Sequence, residues 1–101
     1  MNNLYSIKSN REAGDGRFDI QMEPLDGKSA GILVELKVLR EPKEKTEAAV
    51  AADLDKLAAV ALMQIKEKHY AEELHSRGIC EILNFGIAFY KKQTSVALEK
   101  I

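Results

Sequence analysis

Polar and apolar residues alternate in the first part of the chain, and a period of two is typical of β-strands. The alternation is clearest in RFDIQME, residues 17–23. Its apolar residues share one face of the predicted strand: Phe18, Ile20 and Met22. A weaker alternation predicts an earlier strand at residues 3–8, which is followed by a turn or loop in NREAGDG. Residues 24–29, with Asp26 next to Gly27, favour a hairpin turn.

The strongest predicted strand is GILVELKVL, residues 31–39. It is rich in branched side chains and mostly apolar on both faces, which is typical of a central strand. Because it follows the turn at residues 24–29, we expect it to form an antiparallel hairpin with residues 17–23.

The period changes to that of a helix in the second half of the chain. Residues 44–75 are dense in Ala, Leu, Lys and Glu, with apolar residues at helical spacing, and Gly78 is predicted to cap the helix. Residues 80–90 and 94–100 are predicted as two strands joined by a turn at 91–93. The order β-β-β-α-β-β predicts an α/β fold, a mixed β-sheet with one long helix in the crossover.

Composition limits the class of protein. A chain of 101 residues has room for one small domain, and 46% apolar with 31% charged residues is typical of a globular one. Its apolar runs are far shorter than the ~20 residues needed to span a bilayer, so no membrane is expected as a partner. One cysteine cannot form an internal disulfide, and a cytoplasmic location follows as the default. The net charge of −1 gives no general attraction for nucleic acid.

The candidate chemistry lies in the predicted hairpin. Glu35 and Lys37 are two residues apart on one strand and therefore share a face. Asp19, in the preceding strand, points away from the apolar side and can lie beside Glu35. Two neighbouring carboxylates repel each other unless a cation lies between them, and oxygen donors of this kind suit Mg²⁺. The alternative interpretation is a half-exposed strand with solvated or mutually paired charges.

These residues carry a resemblance to a known family. The spread of Asp19, Glu35 and Lys37 resembles the PD-(D/E)XK nuclease superfamily. Four segments look like one bacterial branch of it: SNREAGDGRFDI (9–20), GILVELKV (31–38), ALMQIKEKHYAEEL (61–74) and FGIAFYKKQTSVAL (85–98). The resemblance covers nearly the whole chain and implies a restriction-endonuclease-like fold, with residues 1–101 as a single nuclease-like domain.

The resemblance also implies roles. Asp19 and Glu35 would bind Mg²⁺ or Mn²⁺, and Lys37 would position or help activate the water that attacks a phosphodiester. Glu12 matches an acidic position of the family and would be a further metal ligand; the alternative is a solvated loop carboxylate. Gln64 matches a helix glutamine of the family and would reach the site; the alternative is a side chain at the boundary of the core.

Some features depart from the family pattern. Phe18 precedes Asp19, at the position where the family pattern has the proline that gives the superfamily its name. Tyr70 lies six residues after Gln64, too far round a helix to pair with it, and is predicted to anchor the core. The helix that usually begins the family core is absent from the sequence, which would leave one face of the sheet open and favour a homodimer.

The implied partners are nucleic acid, with DNA favoured over RNA, and an ATPase-like domain such as usually precedes this one in the branch. The competing interpretation is a catalytically inactive nuclease-fold module that binds nucleic acid or a protein partner. A third is a structural α/β protein with an incidental acidic face.

Other reactive side chains receive structural interpretations. Cys80, at the start of an apolar strand, is predicted to lie in the core. His69 and His75 are not spaced as a metal pair and are predicted to be solvated or paired with the helix dipole. Lys91 and Lys92 are predicted at an exposed turn.

Overall fold

A computed structural model describes residues 4–12, 17–26, 28–67 and 70–101, with side chains described in these ranges except for residues 10–12, 17 and 18. The elements, in chain order, are β1 (Tyr5–Glu12), β2 (Arg17–Pro24), β3 (Gly31–Val38), α1 (Glu47–Glu67), α2 (Tyr70–Ser76), β4 (Ile82–Tyr90) and β5 (Gln93–Lys100).

The strands form one five-stranded sheet in the order β1-β2-β3-β4-β5. Neighbouring strands are antiparallel except for β3 and β4, which are parallel because the chain returns through the helices between them. The predicted α/β fold, a mixed sheet with one long helix in the crossover, is confirmed, and the short helix α2 is added to it. This architecture agrees with the restriction-endonuclease-like fold that the resemblance implies.

Helix α1 packs against β3, β4 and β5, on the side of the sheet that we call the front face. Its buried residues recur every three or four positions, as an amphipathic helix requires: Val50, Leu54, Ala58, Ala61 and Ile65. Thr46 caps its first turn, where the hydroxyl oxygen accepts a hydrogen bond from the Ala49 N–H at 3.3 Å. One buried cluster joins the first half of α1 to Ala88 of β4, and a second joins Ile65 to Leu33, Leu74, Ile79 and Ile82.

The closest contact between helix and sheet is at Gly86, in the middle of β4. A Cβ atom on this residue would lie 2.3 Å from the Ala58 carbonyl oxygen and 2.6 Å from the Leu62 nitrogen. Both obstacles are helix backbone, so only glycine allows α1 to lie so close to the strand.

Three details differ from the sequence-based predictions. Residues 10–12, predicted as loop, belong to β1, because their backbone continues the ladder with β2 up to the pair Glu12–Arg17. The single predicted helix is described as α1 and α2, with residues 68 and 69 outside the description. Cys80, predicted to lie in the core, is exposed, because β4 begins only at Ile82.

Other predictions hold. Gly78 ends α2 with a positive φ of 90°, and its N–H donates to the His75 carbonyl at 3.0 Å. Tyr70 packs against the second cluster, as predicted for a core anchor. His75, Lys91 and Lys92 are exposed, whereas His69 lies outside the described residues. Neither described helix combines the length and the apolar character needed to cross a membrane.

Candidate metal centre

The predicted acidic pair forms directly across two strands. Asp19 of β2 is the register partner of Glu35 of β3 in an antiparallel pair. Directly opposed residues place their Cβ atoms about 4.5–5.5 Å apart on the same face of the sheet. The same row continues through Gly86 to Ala97, so the two carboxyl groups lie next to the point where α1 meets the sheet.

Both carboxyl groups are removed from solvent. Asp19 is 7% exposed and Glu35 is 1% exposed. Carboxylates are almost never buried to this extent unless they are paired or bind a cation, because desolvation of a charge is costly. The solvated form of the alternative interpretation is therefore wrong for Glu35, whereas its other form, a pair between Glu35 and Lys37, is compatible with this burial.

Hydrogen bonds within the turn stabilise the hairpin that brings Asp19 and Glu35 together. The Asp26 carboxylate accepts hydrogen bonds from the backbone N–H groups of Lys28 and Ser29, at 2.8 and 2.9 Å, and from the Ser29 hydroxyl. These bonds, that from the Ser29 N–H foremost, lower the pKa of Asp26 below the ordinary range of an aspartate. The prediction of a turn at Asp26 is confirmed by this Asx-type arrangement.

Lys37 lies one pair further along the same face. It is partly buried and its register partners are Arg17 on β2 and Ala88 on β4. Because Lys37 is two residues from Glu35 on one strand, the ammonium group and the carboxylate project from the same face. The front face of β2 carries polar residues beside this pair, such as Gln21 and Glu23.

Gln64 lies on the flank of α1 that faces the acidic pair. The opposite flank of α1 lies over β5. There Lys66 donates a hydrogen bond to Glu99 at 2.7 Å, and the Ser95 hydroxyl donates one to Asp55. Gln64 is two residues from Lys66, about 200° round the helix, and therefore faces the β2–β3 side. Its Oε1 atom is buried and has no hydrogen-bond partner among the described residues. The structure thus brings Gln64 to the side of the sheet that holds Asp19 and Glu35.

Asn84 is a buried polar residue that the sequence interpretation did not single out. It is 0% exposed on the front face of β4, two residues before Gly86, and its register partner on β3 is Leu33. Neither its Nδ2 nor its Oδ1 has a hydrogen-bond partner in the part of the chain that the structure describes. Leaving such groups without partners costs about 1–3 kcal/mol. The signal in the sequence is one amide within an otherwise apolar strand.

Glu12 is placed only by its backbone. It pairs with Arg17 at the end of β1, in the row that continues to Lys37. Its side chain lies outside the described residues, so its prediction as a metal ligand stays a prediction.

The donor set fits a divalent hard cation. Two carboxylates in one cross-strand pair supply oxygen ligands from adjacent strands, and Gln64 Oε1 is a buried oxygen without a described partner on the facing helix. Among the described residues, no group of three or more Asp, Glu, His or Cys side chains is placed to hold a metal ion. Mg²⁺ is commonly held by one or two carboxylates with waters and substrate phosphate completing its shell, so two carboxylates suffice.

Comparison with known proteins identifies a family for this chain. A sequence model of the PD-(D/E)XK nuclease superfamily matches residues 1–99. No curated protein and no solved structure matches the chain.

Proposed function

The chain belongs to the PD-(D/E)XK nuclease superfamily, and on that premise we propose that it is a metal-dependent nuclease that hydrolyses phosphodiester bonds of nucleic acid, DNA before RNA. The observation that carries the proposal is the direct pairing of Asp19 with Glu35, both buried, with Lys37 next on the same face. Two buried acids in one cross-strand pair repel each other unless a positive charge lies beside them, and a metal ion bound between them would supply it.

Each side chain has a part in this chemistry. Asp19 and Glu35 would hold Mg²⁺ or Mn²⁺, with Glu12 as a further ligand, and Gln64 would reach the site from α1. The cation, when bound, would neutralise charge at the phosphate and polarise the bond to be broken. Lys37, an ammonium with three N–H donors, would position the attacking water and stabilise the negative charge that develops on the phosphate oxygens.

The direct test is cleavage of supercoiled plasmid and of labelled oligonucleotides with Mg²⁺ or Mn²⁺. The wild type is compared with Asp19→Asn, Glu35→Gln and Lys37→Ala, which remove charge with little change in backbone. Each substitution is expected to lower the cleavage rate by a factor of about 100 or more, as is typical when one electrostatic contact to the transition state is lost.

The matched control is Glu23→Gln. Glu23 lies on the same strand and face as Asp19 but pairs with Arg77 at the end of the sheet. Its substitution removes the same charge, and cleavage is expected to persist. Cleavage that survives Asp19→Asn and Lys37→Ala would contradict the mechanism.

The second candidate function is an inactive nuclease-fold module that binds nucleic acid or a protein. The observation that favours it is the net charge of −1, which is unusual for a protein that must hold nucleic acid unaided. Salt-dependent binding of oligonucleotides without cleavage, under conditions where Mg²⁺ stabilises the wild type, would favour this candidate over the first.

The remaining parts of the proposal concern the domain, its location and its partners. We propose that residues 1–101 act as a single nuclease-like domain in the cytoplasm. An ATPase-like domain is the proposed protein partner, because the segments that match the family look like the branch in which such a domain comes first. A homodimer is the proposed assembly.

A further inference from the structure

Asn84 is a fully buried amide without hydrogen bonds to the described part of the chain. It is 0% exposed, and neither its Nδ2 nor its Oδ1 has a partner there. Buried polar groups of native proteins nearly always have partners, because desolvation without a hydrogen bond costs stability. An apolar residue at this position would avoid that cost. The amide therefore points to a partner that it gains in another state of the site.

The neighbours of Asn84 on the front face are mostly apolar. Across the sheet it lies between Leu33 of β3 and Glu99 of β5. Ile65 of α1 belongs to one buried cluster with Leu33 and Ile82, which flank Asn84 on two sides. Apolar side chains offer neither a donor nor an acceptor to an amide. The acidic side chains near Asn84 are therefore its possible partners.

The carboxylate of Glu99 is paired with α1 and not with Asn84. It accepts a hydrogen bond from Lys66 at 2.7 Å, and the side chains of Lys66 and Glu99 are 48% and 38% exposed. An ammonium group and solvent thus satisfy Glu99 at the edge of the helix. It makes no hydrogen bond with Asn84, although the two residues are direct cross-strand partners.

Glu35 is a buried acid within reach of Asn84. Its register partner on β4 is Gly86, two residues after Asn84 on the same face. Strands about 4.8 Å apart, with a rise of about 3.3 Å per residue, place the Cα atoms of Asn84 and Glu35 about 8 Å apart. The two side chains together span that distance with one hydrogen bond between them. Asp19 lies on the other side of Glu35, so the amide and the second acid flank the same carboxylate.

We propose that Asn84 is a positioning residue for the candidate metal centre, with its amide N–H donating to the Glu35 carboxylate when a cation is bound. Carboxylates that bind metals usually accept hydrogen bonds from neighbouring groups, which fix their orientation. An amide suits this place because it donates a hydrogen bond without adding a charge beside two acids. This inference rests on the proposed function, since it requires a cation at Asp19 and Glu35.

A positioning role and a purely structural role predict different effects of removing the amide. If Asn84 stabilised the fold, an apolar replacement would lower the melting temperature and leave Mg²⁺ binding unchanged. If Asn84 positions Glu35, the metal-free protein keeps or gains stability, because an amide without partners is removed. Mg²⁺ binding is then weakened. Such an exchange of stability for function is common at functional sites.

The test measures the melting temperature of the 101-residue chain across a range of Mg²⁺ concentrations, without nucleic acid. Asn84→Leu is expected to melt at or above the wild-type temperature in EDTA. It should need about 10–100-fold more Mg²⁺ for half of the full stabilisation. Glu35→Gln, which lacks one acid of the site, gives the baseline response to Mg²⁺ that the site does not cause.

The matched control is Gln93→Leu, which removes an amide that has a partner. The Gln93 Nε2 donates to the Glu47 carbonyl at 3.1 Å, at the far end of β5 from Glu99. This variant should melt no higher than the wild type in EDTA and should keep the wild-type Mg²⁺ requirement.

A second variant, Asn84→Ala, guards against overpacking by the larger leucine and should raise the Mg²⁺ requirement in the same way. A requirement that stays at the wild-type value in both variants, or rises only with leucine, would overturn the role of Asn84 and leave the nuclease function standing. A wild type that responds to Mg²⁺ no more than Glu35→Gln would overturn both. Because melting does not depend on cleavage, the result for Asn84 is separate from that for nuclease activity.

Discussion

Gly86→Ala tests how closely the helix lies on the sheet. The added Cβ would lie 2.3 Å from the Ala58 carbonyl oxygen, whereas ordinary contacts begin at about 3.4 Å. Helix and strand must therefore separate by about 1 Å, and both obstacles are backbone. Overpacking of a core costs about 1–3 kcal/mol, and an obstacle that cannot change rotamer favours the upper end. At about 4–8 °C per kcal/mol for a domain of this size, the melting temperature should fall by about 12–24 °C.

The matched control is Gly31→Ala. There the new Cβ would meet the Leu74 Cδ1 atom at 3.1 Å and the Ile79 Cγ2 atom at 3.4 Å, both at the ends of side chains that can give way. Both substitutions reduce the freedom of the unfolded chain by the same amount, so their difference isolates the helix contact. Gly31→Ala should change the free energy of unfolding by no more than about 1 kcal/mol.

Thermal melting and urea denaturation of the two variants measure the difference in their stability. Equal melting temperatures for Gly86→Ala and Gly31→Ala would refute the close approach of α1. The same experiment with Mg²⁺ reports on the site, because a displaced α1 carries Gln64 away from Asp19 and Glu35. A reduced Mg²⁺-dependent stabilisation in Gly86→Ala is expected, even at temperatures where the variant is folded.

Two further predictions concern the acidic groups. At 10 mM Mg²⁺ and a dissociation constant of about 1 mM, binding should stabilise the wild type by about 1.4 kcal/mol. In melting experiments, Glu35→Gln should abolish this Mg²⁺-dependent stabilisation and Glu23→Gln should keep it. An equal stabilisation of both variants would contradict a site at Glu35. The pKa of Asp26 is lowered by the N–H of Ser29 and then of Lys28, so its carboxylate stabilises the fold above the unfolded pKa of about 3.9 and the stabilisation is lost as pH falls through the lower folded pKa. Asp26→Asn should therefore be less stable than wild type in urea at pH 7 and equally stable in strong acid, and a difference that persists in acid would argue against this cause.

The hairpin could be predicted because its information is local. Successive side chains of a strand point to opposite faces, so the strands predicted at residues 17–23 and 31–39, with Asp26 between them, determine which residues share a face. Asp19 was expected beside Glu35 on that basis. The structure confirms the pairing and adds that both side chains are buried. Burial was not predictable, because it depends on α1, which lies far along the chain.

The features that were missed depend on contacts between distant segments. Residues 10–12 carry loop-like residue types, yet pairing with β2 makes them strand, since tertiary pairing overrides local preference. Cys80 is apolar in character but precedes the first paired residue of β4, so it stays exposed. The close helix contact at Gly86 and the burial of Asn84 both depend on α1, which lies over them, and no local sequence pattern predicts that packing.

The turn between β2 and β3 has a consequence for how such a site can change in evolution. Side chains in a strand alternate between faces, so one residue inserted between Pro24 and Gly31 would shift the pairing by one place. Asp19 would then leave the front of the sheet and an apolar neighbour would take its place opposite Glu35. Surface loops usually tolerate insertions, but here loop length itself specifies the chemistry. Selection should therefore act on the number of residues in this turn more strictly than on most of their identities.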